Sequence, residues 1–236
     1  MSRELDFYSN DPGAVQHGNF INYYSFNKVE ERLEILPKGI WKKKALDDTK
    51  SFLILDVGCN SGDLTQNLKT FFEGETGQNV EVLGIDIDSA LIDRANKANK
   101  DSNITFHTVN IMEDSNCVKE FLISKNRTTF DVVCCFSITM WIHLNNKDEG
   151  LRVFLEKCSK IAETLVVEPQ PWKCYQTAVR RMKRAKEEGF FPHFKALEWR
   201  TDVEDQIERF LEEDLRRKKV CETEKTKWKR KICVFE

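Results

Sequence analysis

Two short stretches in which acids alternate with glycines hold the residues best suited to chemistry. The first, Leu55-Asp56-Val57-Gly58-Cys59-Asn60-Ser61-Gly62, ends an apolar, β-rich run, and the second, Gly84-Ile85-Asp86-Ile87-Asp88, ends the next one. Glycines just beyond a strand let the backbone turn tightly and let a ligand lie against it, while the following helix presents unpaired N–H groups. A dinucleotide fingerprint would read G-x-G-x-x-G to grip a pyrophosphate. Here the pattern is D-x-G-x-N-x-G, and an acid so close to the loop repels phosphate and suits an ammonium. Asp86 falls at a strand end, where an acid can bind both hydroxyls of a ribose. The pair fits S-adenosyl-L-methionine better than NAD.

The elements that position these residues alternate. Apolar runs at Phe52 to Val57, Val80 to Ile87, Ile104 to Val109, Phe130 to Phe136 and Thr164 to Val167 read as strands, with helical spacing between them. Leu64, Leu68, Phe71 and Phe72 mark one helix; Leu91, Ile92 and Ala95 mark another behind a Ser89 N-cap; Leu151, Phe154, Leu155 and Cys158 mark a third. Further helices are expected near Tyr175 to Glu187 and Val203 to Leu215, then two short runs, Lys219 to Thr223 and Lys231 to Phe235, able to pair as an antiparallel hairpin. The expectation is an α/β fold: a central, mostly parallel sheet with a C-terminal antiparallel hairpin and helices on both faces. Residues 1–50 read as an N-terminal arm over the site and 51–236 as the core of a single domain.

Composition bounds the rest. The 236 residues are 40% hydrophobic with 16 Phe and 5 Trp, enough to fill a core despite 32% charged residues. Met1 to Asn10 lacks the pattern of a secretory signal and no apolar run is long enough to span a bilayer, so a cytoplasmic protein with a possible nuclear pool is expected, with no membrane contact. The 8 Cys lie scattered without a C-x-x-C pair, which reads as reduced core residues and no metal. A formal net charge of −2 weighs against a strongly basic nucleic-acid binder, but it hides segregation. Lys173 to Lys186 holds six basic residues and no acid, and Arg216 to Lys231 holds nine basic and two acidic residues around Trp228. On the first block, Arg180 and Arg184 fall one helical turn apart and are expected to project together, with Arg181 beside them. Basic residues interleaved with an aromatic suit phosphates and a stacked base.

Three further blocks narrow the reading: Gly18-Asn19-Phe20 with Arg32-Leu33; Ser137-Ile138-Thr139-Met140-Trp141-Ile142-His143-Leu144-Asn145; and Glu168-Pro169-Gln170-Pro171-Trp172-Lys173-Cys174-Tyr175. With the glycine loop they resemble the Bicoid-interacting-domain family of RNA 5′-phosphate methyltransferases over roughly residues 17 to 235. The resemblance implies a class I methyltransferase fold of Rossmann-like topology, S-adenosyl-L-methionine as cofactor, and an RNA end as substrate. One branch methylates the γ-phosphate of a 5′-triphosphate small nuclear RNA and usually has Lys where this chain has Met140. The other, with S-I-T-M-W, methylates 5′-monophosphate RNA such as precursor microRNA and histidine tRNA, and Met140 sides with it.

For the cofactor the resemblance implies Arg32 at the methionine carboxylate, Gly58 and Asn60 lining the loop, Asp86 at the ribose, Asn110 and Ile111 beside the adenine, and Phe136 at the end of its strand, with Asp56 and Ile87 also among the cofactor-binding residues. Residues alone read Arg32 differently, as a solvated helix charge among Glu30, Glu31 and Glu34. Asn110 departs from an Asp common in the family and keeps a carbonyl for the adenine amino group. A phosphomonoester is largely dianionic at neutral pH, so its oxygen is a nucleophile without a general base and no catalytic base is expected. Positioning alone can supply about 7 to 11 kcal/mol of the barrier. Candidates to grip the phosphate are His143, Gln170, Trp172 and Lys173 at the ends of strands four and five, joined by Asn19 and Tyr23 from the arm. Trp172 fits packing as well as contact, and His143 could equally satisfy a buried carbonyl. A monomer is expected. Rival readings are the 5′-triphosphate branch, a catalytically silent RNA-binding protein, and a small-molecule or protein methyltransferase.

Overall fold

The computed structural model describes residues 14–41, 50–113, 116–186 and 190–236. The expectations for Met1 to Asn10 and for a helix end at Glu187 lie outside these residues.

The chain runs through α1 (Tyr23–Phe26), α2 (Val29–Ile35), β1 (Phe52–Val57), α3 (Asp63–Thr76), β2 (Val80–Asp86), α4 (Ser89–Ala98), β3 (Ile104–Thr108), α5 (Asn116–Ser124), β4 (Phe130–Phe136), α6 (Thr139–Lys160), β5 (Ala162–Glu168), α7 (Trp172–Arg184), α8 (Val203–Arg209), β6 (Lys219–Glu222) and β7 (Cys233–Phe235). The strands form one sheet in the order β3-β2-β1-β4-β5-β7-β6. The five N-terminal strands are parallel, and β7 pairs antiparallel with both β5 and β6. Every residue of β1 is buried, as helices on both faces require. One layer packs Leu68, Phe72, Ile92 and Ala95 against the sheet, and the other packs Leu151, Phe154, Tyr175 and Ile207. The order reverses between β1 and β4, so a crevice must open at the carboxyl ends of these strands.

The expected architecture is present, with local differences: α5 is not among the helices expected, and the helix expected to Leu215 is α-helical to Arg209 and π-helical over Phe210–Asp214. The cap of α4 is Asp88 rather than Ser89, because the Asp88 carboxylate accepts the N–H groups of Ala90 and Leu91. Helix α6 begins at Thr139, well before Leu151, and is broken at Lys147, whose φ of 61° and ψ of −175° leave the helical region. The arm is built into the core at its far end. Trp41 is fully buried, meets Phe72 edge-on at 4.8 Å, and donates its ring N–H to the Pro37 carbonyl at 2.6 Å.

Candidate functional site

Two clefts open at the carboxyl edge of the sheet, and Tyr23, Ser137 and Trp141 line both. The first spans about 1000 Å³ around the glycine loop, part of it open to solvent. Gly58 has φ of 79°, a conformation that an L side chain adopts only under strain, and a Cβ there would stand 3.0 Å from Ile138 Cδ1. Asn60 ties the loop down. Its backbone N–H donates to Asp86 Oδ2 at 2.9 Å and its side-chain amide to the Phe20 carbonyl at 3.0 Å. The other Asp86 oxygen accepts the Asp88 N–H at 2.9 Å, and a carboxylate so engaged still has lone pairs for hydroxyls. Burial raises the Asp86 carboxyl above its ordinary range, against the pull of the Asp88 and Asn60 N–H groups. Burial likewise pushes Asp56 up to about 6, opposed by a hydrogen bond from Thr65 Oγ1 at 2.7 Å.

Beyond Asp86 the wall turns apolar, with Ile87, Val109, Ile111 and Met112. Ile87, 39% exposed, offers an apolar ledge for a planar base. Asn110 lines the same wall, its carbonyl accepting the Met112 N–H at 3.1 Å and its amide donating to Glu113 at 2.9 Å. Phe136 closes the cleft at the end of β4.

Arg32 is not the solvated helix charge its neighbours suggest. Its side chain is fully buried and donates through Nε and Nη2 to Glu168, with Nη2 also reaching Tyr23 Oη at 2.6 Å and Ser137 Oγ at 2.8 Å. Burial alone would raise the Glu168 carboxyl, but Arg32 and then Arg230 hold it below its ordinary value. Arg32 Nη1 is buried with no acceptor, a costly state for a guanidinium nitrogen, in a side chain that lines the cleft. A ligand carboxylate there would complete it. An acid for an ammonium, an acid for hydroxyls, an apolar ledge for a base and an incomplete guanidinium for a carboxylate together fit S-adenosyl-L-methionine.

The second cleft spans about 1310 Å³, part of it open to solvent. Lys173 and Arg181 reach it from α7, and Lys227, Lys229 and Arg230 from the segment between β6 and β7; among the described residues no carboxylate lines it. Met140 and Phe26 supply apolar wall.

The structure brings Tyr23, Lys173 and Arg181 to this cleft and redirects the other phosphate candidates. Gln170 lines it, but its carbonyl accepts from Thr139 Oγ1 and the Met140 N–H while its amide donates to the Ser137 carbonyl, so it fastens the start of α6. His143 lines neither cleft. It is fully buried between Tyr175 Oη and Asp148 Oδ1, each at 3.1 Å, and burial lowers its pKa despite the Asp148 contact. Trp172 is packing, stacked between Tyr175 at 5.0 Å and Phe194 at 5.1 Å. Asn19 is drawn away by Asp88 Oδ2 at 2.6 Å. Arg180 folds back onto Gln176 and Thr177, and neither it nor exposed Arg184 lines the cleft. The helix geometry explains this: Lys173, Thr177 and Arg181, spaced i, i+4, i+8, form the stripe that faces the cleft.

The second basic block also divides. Arg217 is spent on Ser159 and the carbonyls of Ala162 and Glu163, and Lys219 and Lys231 bridge Glu208 and Glu222. Only its later part serves the cleft. Four residues assigned no individual role from sequence sit at the junction of the clefts: Ser137, Glu168, Trp228 and Arg230. Trp228 Nε1 donates to Glu168 Oε1 at 3.1 Å, and Ser137 holds φ of 56°, a left-handed conformation rare for a residue with a Cβ. The signals available were Glu168, a lone acid ending an apolar strand and followed by proline, and the basic block that holds Trp228 and Arg230.

Comparison with known proteins agrees with this geometry. Residues 130–236 match the Bicoid-interacting protein 3 family and residues 55–161 a methyltransferase domain. The chain is 39% identical over 240 residues to the pre-miRNA 5′-monophosphate methyltransferase of Xenopus laevis, covering 96% of this chain and 94% of that one. It is 38% identical over 239 residues to the RNA 5′-monophosphate methyltransferase of Bos taurus, covering 95% and 82%. Among solved structures, the plantazolicin methyltransferase BpumL, in complex with a pentazolic desmethylPZN analog and SAH, shares the class I methyltransferase fold. Its TM-score is 0.51 at 16% identity, over 82% of this chain and 68% of that one.

Proposed function

The chain belongs to the Bicoid-interacting protein 3 family of methyltransferases, with RNA 5′-monophosphate methyltransferases among its near full-length relatives, and from that premise we propose that it methylates the 5′-monophosphate end of a small RNA. S-adenosyl-L-methionine supplies, when bound, a methyl group made electrophilic by its sulfonium. Arg32 holds the methionine carboxylate, Asp56 faces the ammonium, Asp86 takes the ribose hydroxyls, and Ile87 and Ile111 flank the adenine. The second cleft receives the RNA end, where Lys173, Arg181 and the 227–230 segment orient a phosphate whose oxygen is nucleophilic without a base.

The observation that carries this reading is the junction: Tyr23, Ser137 and Trp141 belong to both clefts, so a phosphate in one lies beside the reactive end of a ligand in the other. Met140, buried and uncharged in the cleft wall, supports a monophosphate over a triphosphate, which would call for more counter-charge. We further propose that the enzyme acts as a monomer without a metal ion, since one chain lines both clefts and five basic side chains stand where a metal would serve. Precursor microRNA and histidine tRNA are the substrates to compare first.

The test is methyl transfer from labelled cofactor to one RNA prepared with 5′-monophosphate, 5′-hydroxyl and 5′-triphosphate ends. Label is expected on the first. Equal labelling of the 5′-hydroxyl form would refute the phosphate as acceptor, and preference for the triphosphate would move the chain to the 5′-triphosphate branch.

A further inference from the structure

Around Glu168 the buried charges do not balance. Arg32 and Glu168, both fully buried, neutralise each other through a close guanidinium–carboxylate contact. Arg230 adds a second guanidinium with a side chain only 12% exposed, and its nearest approach to that carboxylate is 4.0 Å from Nη1 to Oε2. Its hydrogen-bond partners are neutral. Nη1 donates to Ser137 Oγ at 2.5 Å, Nη2 lies 3.9 Å from Cys174 Sγ, and Nε is buried with no acceptor. Two guanidiniums share one carboxylate, which leaves one positive charge largely removed from water. Such a charge is costly unless an anion meets it.

The carboxylate of the cofactor does not answer this need, because Arg32 stands at the first cleft and Arg230 lines the second. Arg181 is a half-buried guanidinium on α7, and the three lysines of the second cleft differ in kind. Lys173, Lys227 and Lys229 are exposed, and Lys227 already contacts Glu31 at 3.0 Å. Arg230 is set at the junction, its guanidinium held by Ser137, itself fixed by Arg32 and Glu168.

Resting on the function proposed above, we infer that Arg230 is the anchor that recognises the terminal 5′-phosphate, and that Ser137 and Glu168 are positioning residues that aim its guanidinium. The exposed lysines then follow the backbone behind the end and contribute affinity that does not depend on it. A guanidinium suits the task, because it offers several donors in a fixed fork to a tetrahedral anion. Glu168 keeps the fork in place at a distance that leaves its charge uncompensated.

The test is the affinity of the full chain, without cofactor, for one short RNA carrying a 5′-phosphate or a 5′-hydroxyl, read by fluorescence anisotropy. Wild type is expected to prefer the phosphorylated end by about ten- to hundredfold, the range of a charge-assisted contact. In Arg230→Met, which keeps the apolar stem, the preference should collapse to near unity. Binding of the 5′-hydroxyl RNA, and of S-adenosylhomocysteine by calorimetry, should stay within about twofold, the scatter expected of an uncoupled site. Lys229→Ala should weaken both RNAs alike and leave the preference intact. A preference that survives Arg230→Met, or an equal loss on both RNAs in that variant, overturns the assignment of Arg230. Absence of any preference in wild type overturns instead the 5′-phosphate reading on which it rests.

Discussion

The Arg32 guanidinium and the Glu168 carboxylate, 136 residues apart in the chain, meet at 2.9 Å with neither side chain exposed. One residue comes from the arm and the other from the end of β5, so the contact fastens the arm over the sheet. It also leaves Arg32 Nη1 for the first cleft and holds Ser137 at the boundary with the second.

Removing the charge of Glu168 while keeping its shape exposes the cost of the pair. Glu168→Gln leaves two buried guanidiniums without a carboxylate and is expected to destabilise the fold by about 3 to 5 kcal/mol. Urea denaturation measures this, and a loss under about 1 kcal/mol, the level of an exposed pair, would show that the contact is solvated.

Asp56 sets a pH dependence for the cofactor. Burial places its carboxyl at about 6, and an ammonium partner requires the ionised form. Affinity for S-adenosylhomocysteine should hold steady at neutral pH and fall as pH drops through about 6, by up to tenfold per unit. Calorimetry across pH reads the slope, which should flatten in Asp56→Asn; an unchanged slope would move the titrating group elsewhere.

Gly58 is required by both its conformation and its neighbour. Gly58→Ala forces a Cβ to within 3.0 Å of Ile138 Cδ1 at φ of 79°. The left-handed strain should cost about 1 to 2 kcal/mol of stability. Because the loop must shift, S-adenosylhomocysteine binding should fall by more than about tenfold, a loss of about 1.4 kcal/mol. A variant that binds as wild type does would remove Gly58 from the site.

His143 is a structural residue. Its removal leaves Tyr175 Oη without its ring partner and deprives Asp148 of one of the bonds by which it also holds the Glu198 and Trp199 N–H groups. His143→Ala should therefore cost about 1 to 3 kcal/mol for each buried polar group left unpaired, with no change in the discrimination between RNA ends. Loss of that discrimination in a stably folded variant would return His143 to the phosphate site.

The sheet and the cofactor loop were legible because both are local signals. Apolar runs separated by helical spacing specify β1 to β5, and Asp56, Gly58 and Asp86 sit at fixed offsets from strand ends. The RNA-end cleft was harder because its residues are chosen by contacts between distant segments. Nothing around Arg230 separates it from Arg217 in sequence, yet one is held at the junction while the other binds carbonyls at the passage from α6 into β5. Arg180 and Arg181 are adjacent, and only the direction in which α7 docks decides which of them reaches the cleft. His143 and Trp172 lie on the helices that follow β4 and β5, but their side chains turn into the core, where an aromatic cluster and Asp148 hold them.

The location of the transferred methyl group tests the central claim most directly. After reaction of 5′-monophosphate RNA with labelled S-adenosyl-L-methionine, digestion to nucleotides should place the label on the 5′-terminal phosphate as a methyl ester that also blocks phosphatase. Label recovered on a base or on a ribose hydroxyl would contradict the account.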